Sequence, residues 1–331
     1  METKIVLGLS GGVDSSLCAR LLVENGYRVS CVYLDNGVGD PSPARATAEE
    51  LGLRLDVIDI RPALEEQVCK PFAKDYLAGR TPSPCALCNP TVKFAALLAV
   101  ADELGAPFVA TGHYARAENG LLKKGRAPND QSYLLARLRP EQLARCVFPL
   151  GEFDKKQVRA LAAELGLTAA ERPDSMEICF IPGNDYAAWL EERGWAAPPG
   201  NFVDPQGNVL GRHGGIHRYT LGQGSGLGVS GPHKYYVSAI RPQTNEVVLS
   251  DGSDLLTRRV RVTGLHLLVP RLPQAVTARF RHSRTETPAS LELLSDDEAL
   301  VHAQEDVRAP TPGQLAVFYD GDTVAASGWI V

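Results

Sequence analysis

No apolar run in these 331 residues approaches the roughly 18 needed to span a bilayer, and the opening Met-Glu-Thr-Lys lacks a signal-peptide layout. Both absences predict a soluble protein. Net basicity is missing too. The formal charge is −5, so total charge gives no sign of nucleic acid, and such a partner would need a local basic patch. There is no internal repeat and no charge block, which argues against solenoid arrays and charged interaction tails. Seven cysteines, scattered and odd in number, do not make a disulfide framework in a chain of this length. A reducing, cytoplasmic setting follows, and each thiol is weighed as core filler, ligand or nucleophile. What is present, 44% apolar and 22% charged residues, is ordinary globular composition with length for two or three domains.

Strand-like and helix-like segments alternate at first: Lys4–Leu9, Leu17–Glu24, Arg28–Leu34, Ala44–Leu51, Leu53–Ile60, Glu65–Leu77, Pro90–Leu104 and Phe108–Ala110. That alternation predicts βαβ units on a parallel sheet. A further helix, Lys155–Leu165, is expected after Asp154 as N-cap and before Gly166. Past about residue 195 Gly and Pro become dense, and short strands follow at Tyr235–Ile240 and Glu246–Leu249. Later strands at Arg258–Val262, Val276–Phe280, Ser290–Leu294 and Leu315–Tyr319 suggest a small barrel. The division expected is 1–195, 196–256 and 257–331.

The strongest local signal is Ser10-Gly11-Gly12-Val13-Asp14-Ser15-Ser16, set between the first strand and first helix. Backbone N–H groups and the helix dipole favour an anion there, and paired glycines let the backbone approach a phosphate. The Walker lysine is absent, and so is the Rossmann Gly-x-Gly-x-x-Gly spacing. The plain alternative is a tight turn with a serine cap. Asp14 is open to two readings, a Mg²⁺ ligand or a helix cap. The strand ends near Leu34 and Gly112-His113 are the natural walls of a nucleotide site.

Thr81-Pro82-Ser83-Pro84-Cys85-Ala86-Leu87-Cys88-Asn89 reads as a proline-stiffened loop feeding a helix, where thiol pKa values can be depressed. A third thiol, Cys179, lies in Asp174-Ser175-Met176-Glu177-Ile178-Cys179-Phe180-Ile181. One Cys-x-x-Cys pair without a second does not close a zinc site. Cys18 and Cys31 read as buried filler, and Cys69 and Cys146 look inert. Arg279, Arg281, His282 and Arg284, beside Phe280, form the expected basic patch.

Taken together, SGGVDSS, TPSPCALCN, ATGHY at Ala110–Tyr114, NDQSY at Asn129–Tyr133, DSMEICFI and TPGQ at Thr311–Gln314 resemble the tRNA-specific 2-thiouridylases, the MnmA family. The SGGVDSS string alone resembles the PP-loop of ATP pyrophosphatases, which cleave ATP between the α and β phosphates. The resemblance implies a doubly wound parallel α/β sheet of the adenine nucleotide alpha hydrolase kind, then a small central β domain and a C-terminal β-barrel. It implies exchange of the 2-oxygen of a wobble uridine for sulfur, with ATP adenylating the oxygen and AMP leaving. ATP, with Mg²⁺, would contact Gly8, Leu9, Ser10, Gly11, Gly12, Val13, Asp14, Ser15, Leu34 and Gly112. Cys88 would be the nucleophile and Cys179 the persulfide carrier. Ser83, Pro84, Cys85, His113, Asn129, Asp130, Gln131, Arg279, Phe280 and Gln314 would meet tRNA. A cysteine desulfurase, sulfur-relay protein or sulfide would supply sulfur, and no membrane is implied.

The chain departs from the family pattern in places. Cys85 stands where many members have Asp, although others share the CxxC form. Three thiolates, Cys85, Cys88 and Cys179, suit three corners of a [4Fe–4S] cluster. The alternative is a persulfide on Cys179 with Cys88 assisting, and the CxxC spacing favours the cluster. Gly224-Ser225 replaces two basic residues, and the segment after Leu34 is short. The rival functions are a thiolating paralogue acting on another RNA or small molecule, a PP-loop ligase, and a non-catalytic binder.

Overall fold

The computed structural model describes residues 2–126, 128–173, 178–282 and 285–331. Residues 174–177 of the DSMEICFI motif and Arg284 of the expected basic patch lie outside the described residues. The chain forms two compact units. The first comprises Met1–Val68, Cys85–Asn184 and Asp322–Val324; the second comprises Cys69–Pro84, Asp185–Gly321 and Ala325–Val331.

The first unit is built on five parallel strands, β1 (Thr3–Gly8), β2 (Tyr27–Asp35), β3 (Leu55–Asp59), β4 (Phe108–Ala110) and β5 (Cys146–Val147), in the order β3-β2-β1-β4-β5. Ile5, Val6 and Leu7 of β1 are all fully buried, so both faces of the sheet need cover. On one face α1 (Val13–Glu24) and the later helix Lys155–Glu164 bring Leu17, Cys18, Val158 and Ala162 onto Ile5, Leu7, Cys31 and Tyr33. Against β1 and β4 on the other face lies the helix Pro84–Leu104, whose Leu97 meets Gly8. The helix Ser42–Glu50, labelled α2, follows β2, Pro84–Leu104 is α3 and Lys155–Glu164 is α4. Asp154 caps α4 as expected: its carboxylate accepts from the Gln157 N–H at 2.8 Å. Strand order reverses between β2 and β4 on either side of β1, which places the crevice for a ligand above the end of β1.

Two expectations change. The long helix starts at Pro84 rather than Pro90, so Cys85 and Cys88 are helical and not in a loop. At 21 residues, α3 is also long and apolar enough to cross a membrane, against the reading that no such run exists. In this unit it is a core helix packed on the sheet. It is not uniform, because Asn89–Lys93 forms a π-turn. Pro90 explains it: proline has no N–H for the carbonyl four residues back, and its ring pushes that carbonyl away. The disturbed carbonyls find side chains instead. The Thr91 hydroxyl donates to Leu87 O at 2.6 Å, and the Gln142 amide donates to Pro90 O at 2.9 Å.

The second unit holds a four-stranded sheet, Tyr236–Arg241, Glu246–Ser250, Gly200–Val203 and Val209–His213 in spatial order, around Phe202, Tyr219, Val237, Val247 and Leu249. Beyond it six strands close into an antiparallel barrel. Around the ring they run Leu256–Leu267, Glu298–Arg308, Thr287–Leu293, Ala275–Arg279, Leu315–Asp320 and Thr323–Ile330. Val262 pairs with Ile330 and Leu267 with Ala326, joining the first strand to the last. The ring is filled by Val260, Val262, Ala278, Val301, Ala316 and Phe318.

Candidate active site

The loop after β1 is braced by its own hydroxyls. The Ser15 hydroxyl lies 3.1 Å from that of Ser10 and donates to Gly12 O at 3.1 Å, while the Ser10 N–H donates to Ser15 Oγ at 3.2 Å. Gly12 is the N-cap of α1 and no side chain caps it, which leaves the first N–H groups of the helix for an anion. Gly11 sits at φ +83°, and a Cβ there would lie 2.5 Å from backbone atoms of Pro43 and Ala44. Gly112, after β4, lies equally close over the helix start: its Cβ would be 3.1 Å from Ser15 N. Arg172 ties the loop down by donating to the carbonyls of Gly11 and Pro43. Nothing local in the sequence marked Arg172, since it lies far along the chain from the glycines it holds.

Asp14 is not a cap. Its carboxylate accepts from the Lys155 ammonium at 2.8 Å on both oxygens and from the Tyr114 hydroxyl at 2.5 Å. Lys155 is the first residue of α4, so a distant helix brings a lysine to a phosphate loop that has none of its own.

The thiols gather on α3 and the segment that follows residue 177. Cys88 is buried, Cys85 is half-buried and Cys179 is exposed. Cys179 is held through its backbone, as its carbonyl accepts from the Asn36 amide at 2.7 Å just beyond β2 and Leu34. Burial pushes the Cys88 thiol up to about 12 and raises Cys85, the reverse of the depressed values expected near a helix start. The Lys93 ammonium works against that burial on both. Burial also opposes charge on Lys93, yet the thiols of Cys179, Cys88 and Cys85 outweigh it and raise the ammonium above its ordinary value. His113 answers to the same cation: burial and then Lys93 hold it down at about 3, so its ring is neutral. Its Nδ1 lies 2.7 Å from the Thr111 hydroxyl, and the ring stacks on Phe94.

Among the described residues no three Cys, His, Asp or Glu side chains are gathered to hold a metal. A bound metal would itself deprotonate the thiols, whereas a persulfide relay needs no such group. Cys18, Cys31, Cys69 and Cys146 are buried, as filler should be.

Several residues expected to contact tRNA also make bonds within the protein. Arg279 is 8% exposed; its guanidinium pairs with Glu286 at 2.6 Å and lies over the Tyr319 ring, while Phe280 belongs to the barrel core. Arg279 is not part of a solvated basic face: it alternates with Val276, Ala278 and Phe280, which fill the barrel, and lies on the strand's other face, covered by Glu286 and the Tyr319 ring. Arg281 and His282 are exposed. Gln314 donates to the carbonyls of Thr81 and Pro82 at 3.1 and 2.9 Å, clamping the segment that carries Ser83 and Pro84. Asn129 accepts from Lys155 N–H at 3.3 Å, Asp130 accepts from Gly125 and Ser132, and Gln131 accepts from Tyr114 N–H.

A parallel α/β sheet with a lysine-free phosphate loop at its switch point, and three candidate thiols in the same unit, defines a nucleotide-using domain equipped for sulfur chemistry. Family models cover almost the whole length: a tRNA methyl transferase HUP domain over residues 3–183, a PRC-barrel domain of the same series over 188–251, and an aminomethyltransferase beta-barrel domain over 257–330. A tRNA-specific 2-thiouridylase MnmA of Lachnoclostridium phytofermentans is 40% identical, covering 99% of each chain. That of Syntrophotalea carbinolica is 42% identical over 98% of each. Among solved structures, a 4-thiouridine synthetase–RNA complex with bound ATP overlaps 58% of this chain and 50% of its own, at 19% identity and TM-score 0.38. The chain belongs to the tRNA-specific 2-thiouridylase family.

Proposed function

We propose that this tRNA-uridine 2-sulfurtransferase works by adenylating the C2 oxygen of a wobble uridine and then replacing it with sulfur carried on Cys179. A carbonyl-derived oxygen leaves poorly, and AMP makes it a good leaving group. In the first step the oxygen bonds to the α-phosphorus and pyrophosphate departs with the electrons of the α–β bridge. In the second, the terminal sulfur of a Cys179 persulfide bonds to C2 as AMP leaves. Cys88 thiolate then attacks the Cys179 sulfur, releasing the thiolated base and leaving a Cys88–Cys179 disulfide, which an external thiol must reduce. The loop Gly8–Ser15 would cradle the phosphates of the magnesium–ATP complex, Leu34 and Gly112 would wall the nucleotide, and Lys155 would add positive charge.

One observation supports this reading: Cys88 and Cys179, far apart in sequence, both lie in the unit that holds the phosphate loop. Residues 1–195 would be the catalytic domain, 196–256 a connecting domain and 257–331 the part that meets tRNA, in the cytoplasm. Ser83, Pro84 and Cys85 would approach the target base, and His113 and the 129–131 turn would contact tRNA. A desulfurase, relay protein or sulfide would charge Cys179. The test is to incubate the protein with ATP, bulk tRNA and a persulfide donor. AMP, pyrophosphate and a 2-thiouridine nucleoside are expected, and ADP with orthophosphate would overturn the reading.

A further inference from the structure

We propose that Arg172 is a positioning residue for ATP, the group that keeps the N–H of the Gly11–Gly12 peptide, and not its carbonyl, turned toward the phosphates. The proposal rests on the reading of the loop as an ATP site and adds to it a residue 161 positions from the glycine it holds.

The need for such a residue lies in the paired glycines. Glycine takes positive and negative φ alike, so the peptide between two glycines turns over at little steric cost. Gly11 itself sits at φ +83°. A trans peptide carries its C=O and N–H on opposite sides, so holding the Gly11 carbonyl one way sends the Gly12 N–H the other. Arg172 does the holding. One of its guanidinium nitrogens, Nη1, donates both to Gly11 O and to Pro43 O, the latter at 3.1 Å. On the far side of the peptide the Gly12 N–H reaches the Ser10 hydroxyl at 3.4 Å, a long bond that a phosphate oxygen can replace. With the peptide reversed, a carbonyl oxygen would stand where an anion needs an N–H.

The clamp is anchored on both sides. Pro43 lies in the first turn of α2, which the buried hydroxyls of Ser16 and Thr47, 3.1 Å apart, fix against α1. The short turn Thr168–Glu171 delivers Arg172 and is bonded to two helices. Thr168 donates through its N–H and its hydroxyl to the Glu50 carboxylate of α2, at 3.3 and 2.8 Å. Arg159 of α4 donates to Ala170 O at 2.9 Å and to Arg172 O at 3.2 Å. Arg172 is half-buried, and among the described residues its guanidinium bonds to carbonyls and to no carboxylate. A guanidinium placed on two carbonyls, where a carboxylate would pair more strongly, has the orientation of those carbonyls as its use.

The test uses the full chain without tRNA, so no uridine oxygen is present to attack ATP. Binding of magnesium–ATP is measured by titration calorimetry and that of adenosine by NMR saturation transfer, for wild type, Arg172→Met, Arg172→Gln and Arg172→Lys. Arg172→Met should raise the Kd for ATP by about tenfold or more and leave that for adenosine within about twofold, because the lost bonds bear on the phosphate contacts alone. Arg172→Lys should bring ATP binding back to within about threefold, since one nitrogen makes both bonds and an ammonium can make them too. Melting temperature reports folding. If the Met variant does not fold, Arg172→Gln carries the same expectation and the same refutation, and loss of folding in both would make Arg172 a structural residue and end the proposal. Unchanged ATP binding in a folded Met or Gln variant would overturn it, as would equal losses for ATP and adenosine or a Lys variant as weak as Met. A wild-type chain that binds no ATP would instead overturn the reading of the loop.

Discussion

The phosphate loop and the thiol pocket lie in the same unit but are made differently. The loop is a local object: Ser10, Gly11, Gly12 and Ser15 are within a few residues of each other, and its bonds run mostly among themselves. The pocket is assembled from Cys85, Cys88 and Lys93 on a distorted helix, His113 from a strand end and Cys179 from a segment some ninety residues on. The loop presents N–H groups that are ready whatever the pH. The pocket holds groups whose charge states depend on one another, so it can be switched by chemistry where the loop can only be filled or empty. Local construction tolerates little change of shape, and long-range construction tolerates little change of charge.

Substitution of the thiols should produce the largest effects. Cys88→Ala and Cys179→Ala should each lower thiolation by about three orders of magnitude or more, as loss of a nucleophile does, measured as 2-thiouridine per tRNA. Cys85→Ala should retain activity within about fivefold, because no step of the relay uses it. Anaerobic enzyme that loses all activity with Cys85 would bring the cluster back.

Gly11→Ala should attack the loop through the fold. With φ +83° and backbone at 2.5 Å from the added Cβ, the variant should lose about 2–4 kcal/mol and melt several degrees lower. Ser10→Ala removes a hydroxyl and no space, so it should raise the KM for ATP while the melting temperature moves little.

Acid should affect the pocket more than the loop. His113 titrates at about 3 in the folded chain against 6.5 as its ordinary value. The unfolded chain therefore binds a proton first as pH falls, and the stabilisation, complete above about 6.5, is lost between about 6.5 and 3 at up to roughly 1.4 kcal/mol per pH unit. Melting temperatures across that window should fall less steeply for His113→Gln. An unchanged slope would show that the ring is not held neutral.

The smallest effect expected is at the barrel surface. Arg281→Ala should reduce the salt slope of tRNA binding by about one and leave stability alone, whereas Arg279→Ala should lower the melting temperature by breaking the buried pair with Glu286. Equal salt slopes for both variants would remove the exposed arginine from the interface.

Legibility in the sequence follows the same division. SGGVDSS could be read because strand, turn and helix start are contiguous, and the parallel sheet because its strands are apolar runs punctuated by glycine. The barrel was half legible. Thr323–Ile330 is rich in Ala, Ser and Gly and carries little strand propensity, and Glu298–Arg308 has a charged outer face. Lys93 was missed because α-periodicity points to Val92; the one signal present was Pro90, set inside an otherwise helical run. Arg279 was misread because its cover comes from Glu286 and Tyr319, on other strands and turns, and not from its neighbours in sequence.

The pairing of Leu256–Leu267 with Thr323–Ile330 also bears on how the chain is made. On a ribosome, the first barrel strand must wait until more than fifty further residues have emerged before its closing partner exists. Until then it presents an unpaired edge to every other nascent chain nearby. The barrel is thus the stretch where a stalled or shortened translation product would seek strangers, and where a chaperone's attention during synthesis would matter most.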